Sequence, residues 1–236
     1  MNIAIIGAGN VGRALASSTV RAGHTVTISA NDPSHAEAVA AETGARAVRS
    51  NSECIAPAEI VILAVPVTAA SDLGEELGDA LAGKVVVDVT NRPTPDPEGG
   101  RSTSAAEEIQ ALLPNARVVK AFNTAFASRQ ADPVVDGQPA DAYVAGDDPE
   151  AKKKVLALAR SIGFRPFDVG PLAQARTLEG MAWIHISLNM QNAWPWQSAW
   201  KIVGPTGDDG SSAGERDATA VEARVPAGAA AGQGDR

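Results

Sequence analysis

Cysteine occurs once in this 236-residue chain, at Cys54. An intrachain disulfide and a multi-cysteine metal cluster are therefore excluded, and the usage suits a reducing compartment. The 3 histidines, His24, His35 and His185, are scattered and do not form a His-x-x-x-His metal pair; each reads as a surface or packing residue. Positive charge is short: 20 Lys and Arg stand against 28 Asp and Glu, a net charge of -8. That balance argues against a nucleic-acid partner, whose binding rests on cations displacing phosphate counterions. The one dense basic run, Lys152-Lys153-Lys154, reads as a solvated helix face. Aromatics are 4% of the chain, and all 4 tryptophans fall between Trp183 and Trp200, a packed helix or a dimer face. Neither a signal-peptide pattern nor an apolar run long enough to span a bilayer is seen, so a soluble cytoplasmic protein without a membrane partner is expected. A Ser nucleophile elbow and a carboxylate pair on one helix face are missing too, which leaves hydrolysis and metal catalysis without support.

What is present begins with an apolar run, Ile3-Ala4-Ile5-Ile6, followed directly by Gly7-Ala8-Gly9-Asn10-Val11-Gly12 and then by a helical pattern to about Ala22. A buried strand must turn sharply into a helix here. Gly7 permits the turn, Gly9 lets a pyrophosphate approach bare backbone, and Gly12 lets helix and strand pack closely. The helix N-terminus then offers N–H groups and its dipole to phosphates.

Downstream, strand and helix patterns alternate. Strands are expected at 24–30, 45–48, 59–65, 84–89, 117–122, 142–145 and 165–169; helices at 35–43, 51–56, 69–81, 104–113, 150–162 and 171–191. The run 59–65 is apolar without alternation, as a strand covered on both faces reads. The pattern predicts an α/β fold, a Rossmann-type doubly wound parallel sheet with a small C-terminal α/β extension. Residues 1–124 form the expected dinucleotide-binding domain, 125–204 a small C-terminal domain with a long helix, and 205–236 a disordered tail; the proline- and glycine-rich stretch 92–100 is an expected irregular loop.

In open parallel sheets, ligands bind beyond the carboxyl ends of the strands. That rule proposes a rim: Gly7, Gly9, Asn10, Val11 and Gly12, then Ser29, Asn31 and Asp32, then Val65 and Pro66, then Asn91, and finally Asn123. Asp32 lies about 20 residues past the last glycine, where an acid holds the adenosine ribose hydroxyls of NAD. It precedes Pro33-Ser34 as well, and so equally reads as a helix cap. Lys120, within a strand pattern, reads as structural. A rim of small and amide side chains without an acid or base suits hydride transfer between bound rings, in which proximity and orientation supply the catalysis. Asn123 and Pro66 would orient the rings. The alternative is a nucleotide-sensing, partner-binding Rossmann module without turnover.

The chain resembles the coenzyme F420-dependent NADP oxidoreductases over about residues 1–203. The resemblance rests on Asn2 to Gly12, Ala64-Val65-Pro66, Val118-Val119-Lys120-Ala121-Phe122-Asn123-Thr124, Ala145-Gly146-Asp147-Asp148 and Phe167-Asp168-Val169-Gly170-Pro171-Leu172. It implies NADP as the nucleotide, with NAD as the alternative, and coenzyme F420, a deazaflavin, as co-substrate. It implies further that Gly9, Asn10 and Val11 contact the pyrophosphate, Val65 and Pro66 the nicotinamide, and Asn123 the carboxamide region. The C-terminal part would close the deazaflavin pocket and help form a homodimer. One stretch departs from the pattern. The family places Ser and Arg after the second strand to hold the 2′-phosphate, and this chain has Ala30-Asn31-Asp32.

Overall fold

The computed structural model describes residues 1–92 and 103–204, so most of the expected loop 92–100 and all of the expected tail 205–236 lie outside the described residues. Among the described residues run ten strands, β1 (Asn2–Ile6), β2 (Thr25–Ser29), β3 (Arg46–Ala47), β4 (Ile60–Leu63), β5 (Val85–Asp88), β6 (Arg117–Lys120), β7 (Val134–Val135), β8 (Gln138–Pro139), β9 (Asp141–Gly146) and β10 (Arg165–Asp168). The α-helices are α1 (Asn10–Arg21), α2 (Pro33–Thr43), α3 (Asn51–Ile55), α4 (Ala70–Leu77), α5 (Ala105–Leu112), α6 (Ala127–Ala131), α7 (Pro149–Ser161) and α8 (Ala175–Gln191). One eight-stranded sheet has the order β10-β9-β6-β5-β4-β1-β2-β3, with β7 and β8 pairing separately. Every pairing from β3 across to β6 is parallel; β9 joins antiparallel to β6, and β10 runs parallel to β9.

The strands lack a polar face because helices cover both sides. Ile3, Ile5, Ile60, Ile62, Val85 and Val87 face one core with Leu15 of α1, Val39 of α2 and Leu158 of α7. Their alternates Ala4, Ile6, Val61, Leu63 and Val86 face the other with Cys54 of α3, Leu77 of α4 and Ile109 of α5. Cys54 is buried there, its thiol pushed up by desolvation.

Four segments depart from the sequence expectation. The helix expected at 69–81 is divided into a 3₁₀ turn Val67–Ala69, α4 and a second 3₁₀ turn Asp79–Leu81, with Gly78 at the break, where its low helix propensity acts. Strand β6 ends at Lys120, and Phe122 takes a left-handed φ of 62° that turns the chain away from the sheet. Between β6 and β9 the sequence reading missed α6 and the β7–β8 hairpin, whose turn is Asp136-Gly137, both at positive φ. The C-terminal helix begins at Ala175, after a 3₁₀ turn Leu172–Gln174.

Two side chains tie α8 to its surroundings and titrate away from their usual ranges. Glu107 closes a capping box with Ser104 at the start of α5 and takes a two-pronged bond from Arg176 of α8, at 2.8 and 2.5 Å. Those bonds from Arg176, and then from Ser104, hold its carboxyl down to about 2 against the opposing effect of burial. His185 is buried, with Nδ1 3.2 Å from the Thr124 carbonyl and Nε2 2.8 Å from Ser198 Oγ, and its ring lies against Phe126. Desolvation lowers its pKa from 6.5, only partly offset by the Thr124 carbonyl.

Each shift sets a pH window for stability. The Glu107 contribution is complete above its unfolded value of 4.5 and is lost as pH falls toward about 2. Urea unfolding should therefore separate wild type from Glu107→Gln clearly at neutral pH and much less near pH 2. The His185 contribution is complete above 6.5 and is lost as pH falls below that value, at up to about 1.4 kcal/mol per pH unit. His24, lowered by burial and by the N-terminal ammonium, acts in the same window, so His185→Gln should remove part of the slope of unfolding free energy below pH 6.5 and leave the rest.

Candidate active site

The glycine loop links the end of β1 to α1, and its three glycines have different surroundings. Gly7 has φ of +110°, and a Cβ there would lie 2.2 Å from the Ala64 carbonyl oxygen. At Gly12 a Cβ would lie 1.9 Å from the oxygen of Gly7. Both positions are closed by backbone, so glycine is required for the fold. Gly9 is exposed, and a Cβ there would meet nothing within 4 Å. It is the N-cap of α1 without a side-chain acceptor, and no acidic residue stands in the first turn. The loop therefore leaves open space in front of a helix N-terminus, which suits an anion.

At the neighbouring strand end, Ser29 is buried and its hydroxyl donates to Asn51 Oδ1 at 2.8 Å, while its carbonyl accepts the Gly7 N–H at 2.8 Å. Ser29 thus braces the loop through its backbone, with its side chain engaged at α3. Asn31 is exposed. Asp32 caps α2, its Oδ1 accepting the Ser34 N–H at 2.9 Å and the Ser34 hydroxyl at 2.7 Å. Those bonds lower its pKa, the hydroxyl contributing most. Its other oxygen lies 3.9 Å from His35 Nε2.

On the other side of the loop, Val65 is half-buried and Pro66 exposed, with the Pro66 carbonyl closing the turn to Ala69. Beyond β5 and β6, two asparagines lock each other. Asn91 Nδ2 donates to the Asn123 carbonyl at 2.9 Å, and Asn123 Nδ2 donates to Asn91 Oδ1 at 3.0 Å and to the Leu178 carbonyl of α8 at 3.0 Å. Asn123 is buried and keeps Oδ1 without a partner among the described residues. Val11, Asn91 and Asn123 meet Phe126, Gln130 and Ile186 around a cavity of about 150 Å³. No titratable side chain is found among the described residues that line it.

The structure thus brings Val11, Asn91 and Asn123 to one cavity, and leaves Ser29, Asn31 and Asp32 at the neighbouring ends of β2 and α2. Sequence reasoning missed Gln130 and the inward stripe of α8. Gln130 donates through Nε2 to the Phe122 and Ala125 carbonyls at 3.0 and 3.1 Å, which fixes the loop after β6. The helical spacing of Leu178, Ala182, His185 and Ile186 was the available signal. Lys120 ends β6. It is fully buried, and Nζ donates to Asp88 Oδ2 at 2.8 Å, the Thr90 carbonyl at 2.6 Å and Glu179 Oε1 at 3.0 Å. No cluster of metal-ligating side chains occurs among the described residues, and no helix among them is long and apolar enough to cross a membrane.

Comparison with known proteins adds the lineage. Residues 2–92 match the family model described as NADP oxidoreductase, coenzyme F420-dependent. The metalloreductase STEAP3 of Rattus norvegicus is 36% identical over 180 residues, covering 76% of this chain and 36% of that protein, so the chain spans about a third of the metalloreductases it matches. The F420-dependent NADP reductase of Methanothermobacter marburgensis is 32% identical over 212 residues, covering 81% of this chain and 94% of that enzyme. A solved structure of a candidate F420-dependent NADP reductase from Arthrobacter sp. FB24 superposes with a TM-score of 0.72 at 30% identity, over 81% of this chain and 94% of that one. With identity of this order over nearly the whole length of an F420-dependent NADP reductase, and with a fold that superposes on that of a second such protein, the chain belongs to the coenzyme F420-dependent NADP oxidoreductases, a family of nicotinamide-dependent oxidoreductases.

Proposed function

We propose that the protein transfers hydride between NADP(H) and a deazaflavin of the coenzyme F420 type. The observation that carries this reading is the cavity beside the glycine loop, bounded by amides and apolar side chains with no titratable group among its described lining residues. A reaction needing general acid or base catalysis would have no agent there. Hydride transfer needs only that two rings be held face to face.

The residues divide the work as follows. Gly9, Asn10 and Val11 hold the pyrophosphate on the N–H groups opening α1, with Gly7 and Gly12 making the turn. Ser29, Asn31 and Asp32 border the adenosine ribose. Val65 and Pro66 bound the nicotinamide ring, and Asn123, held by Asn91 and Leu178, offers Oδ1 to its carboxamide N–H. The nicotinamide supplies the hydride when bound. The proton that accompanies hydride in reducing a deazaflavin comes from solvent. Residues 125–204 close the acceptor side, through the loop after β6 and the inner face of α8. A flavin, whose ring system accepts hydride face to face in the same way, is the second acceptor to try.

Two measurements test this. Mixing the protein with NADPH and F420 should bleach the deazaflavin absorbance catalytically; turnover with FMN or FAD alone would replace the acceptor, and tight nucleotide binding without turnover on any of them would leave a nucleotide-sensing module. Gly9→Ala should unfold at the wild-type temperature, because its Cβ meets no neighbour, yet weaken nucleotide binding about tenfold or more by filling the space for the pyrophosphate. Unchanged affinity in that variant would remove the glycine loop from the site.

A further inference from the structure

We propose that Arg49, in the loop after β3, supplies the cation that selects a 2′-phosphorylated adenosine, in place of a basic residue directly after β2. The inference rests on the dinucleotide reading above and adds a specificity residue to it.

The end of β2 carries no cation of its own. Ser29 has its hydroxyl engaged by Asn51, Ala30 is a half-buried methyl packed against the core, and Asp32 is engaged in capping α2. The strand beside it does carry one. β3 runs parallel to β2, with Thr27 opposite Arg46 and Ile28 opposite Ala47, and the Val48 N–H continues the ladder to the Ile28 carbonyl at 3.0 Å. One residue farther, the chain bends at Arg49, so Arg49 leaves the ladder at the carboxyl edge of the sheet, where β2 also ends. Val48 is buried and Arg49 exposed, so the guanidinium is free to turn toward the rim.

Arg49 is also uncommitted. Arg13 of α1 pairs with Glu42, and Arg46 pairs with Glu53 at 2.8 Å. Among the described residues Arg49 has neither an ion pair nor a hydrogen bond. A guanidinium that must give up no partner presents its fork to a phosphate at little cost, and charge-assisted, two-pronged bonds to phosphate are among the strongest available at a surface. A 2′-hydroxyl gives the same fork no charge to meet. The ionised carboxylate of Asp32 disfavours a second negative charge nearby, and the Arg49 guanidinium offsets that repulsion.

Calorimetric titration of NADP and NAD into wild type and Arg49→Gln tests this, with thermal unfolding of each protein as the control for folding. Wild type should bind NADP more tightly than NAD, and Arg49→Gln should weaken NADP about tenfold or more while leaving NAD within about twofold. Loss of the NADP preference without loss of NAD binding supports the assignment. Equal weakening of both nucleotides, no change in either, or a wild type that prefers NAD overturns it while the dinucleotide reading stands. A wild type that binds neither nucleotide overturns both.

Discussion

The buried ammonium of Lys120 is the point from which the site side of the molecule is built. It stands at the end of β6, fully buried, and meets Asp88 from β5, Glu179 from α8 and the backbone carbonyl of Thr90. A lone buried charge would cost several kcal/mol. Here one ammonium meets two carboxylates, and Arg92 Nε lies 3.8 Å from the second oxygen of Glu179; Asp88 Oδ1 also takes the Thr90 N–H, and Glu179 Oε1 also takes the Ala105 N–H that opens α5. The cluster therefore joins two neighbouring strands, the chain after β5 and two helices at one place. Its satisfied geometry is worth more as a locator than as stabilisation, because an apolar cluster of the same volume would hold the core equally well without fixing where Thr90 and Asn91 stand.

The asparagine pair depends on that anchor. Asn91 follows Thr90 directly, and it reaches Asn123 across the gap between the ends of β5 and β6. Helix α8 then meets the same loop repeatedly along one stripe: Leu178 accepts from Asn123 through its carbonyl, Glu179 meets Lys120, and His185 meets the Thr124 carbonyl. Residues 178, 182 and 185 to 186 recur at helical spacing, so a single helix face supplies both the brace of the rim and part of the cavity wall. The segment after α8 is held by Arg165 and Asp141, which bond each other and the backbone of Ile202.

The parallel core was legible in the sequence because it depends on local signals. Each central strand is an unbroken apolar run between glycine or proline punctuation, and the glycine loop joins a strand to a helix in a way few other structures need. The boundaries that failed are those decided by distant contacts. Nothing local in Lys120-Ala121-Phe122 marks the strand end; it is set by the ammonium reaching Glu179, 59 residues away, and by the left-handed turn at Phe122 that Gln130 fastens. The rim was legible only in part for the same reason. Asn91 and Asn123 are visible as strand-end amides, whereas their mutual bonds and the contribution of α8 exist only once β5 and β6 lie side by side. Asp32 shows the limit most sharply, since its spacing from the glycines and its position before Pro33-Ser34 read equally well in sequence.

The geometry of Asp32 explains how both readings can hold for one carboxylate. A cap uses one oxygen, and in this protein Ser34 takes Oδ1 with two bonds while Oδ2, among the described residues, faces an exposed histidine at a distance of 3.9 Å. The cap also keeps the group ionised, because hydrogen bonds to the charged form lower its pKa. A ribose hydroxyl could still donate to the second oxygen. An ionised carboxylate accepts from a 2′-hydroxyl and repels a 2′-phosphate, so Asp32 by itself does not select NADP. Selection of a 2′-phosphate would require a cation whose position is independent of the cap, and the parallel pairing of β2 with β3 brings the chain carrying Arg49 to the same edge of the sheet.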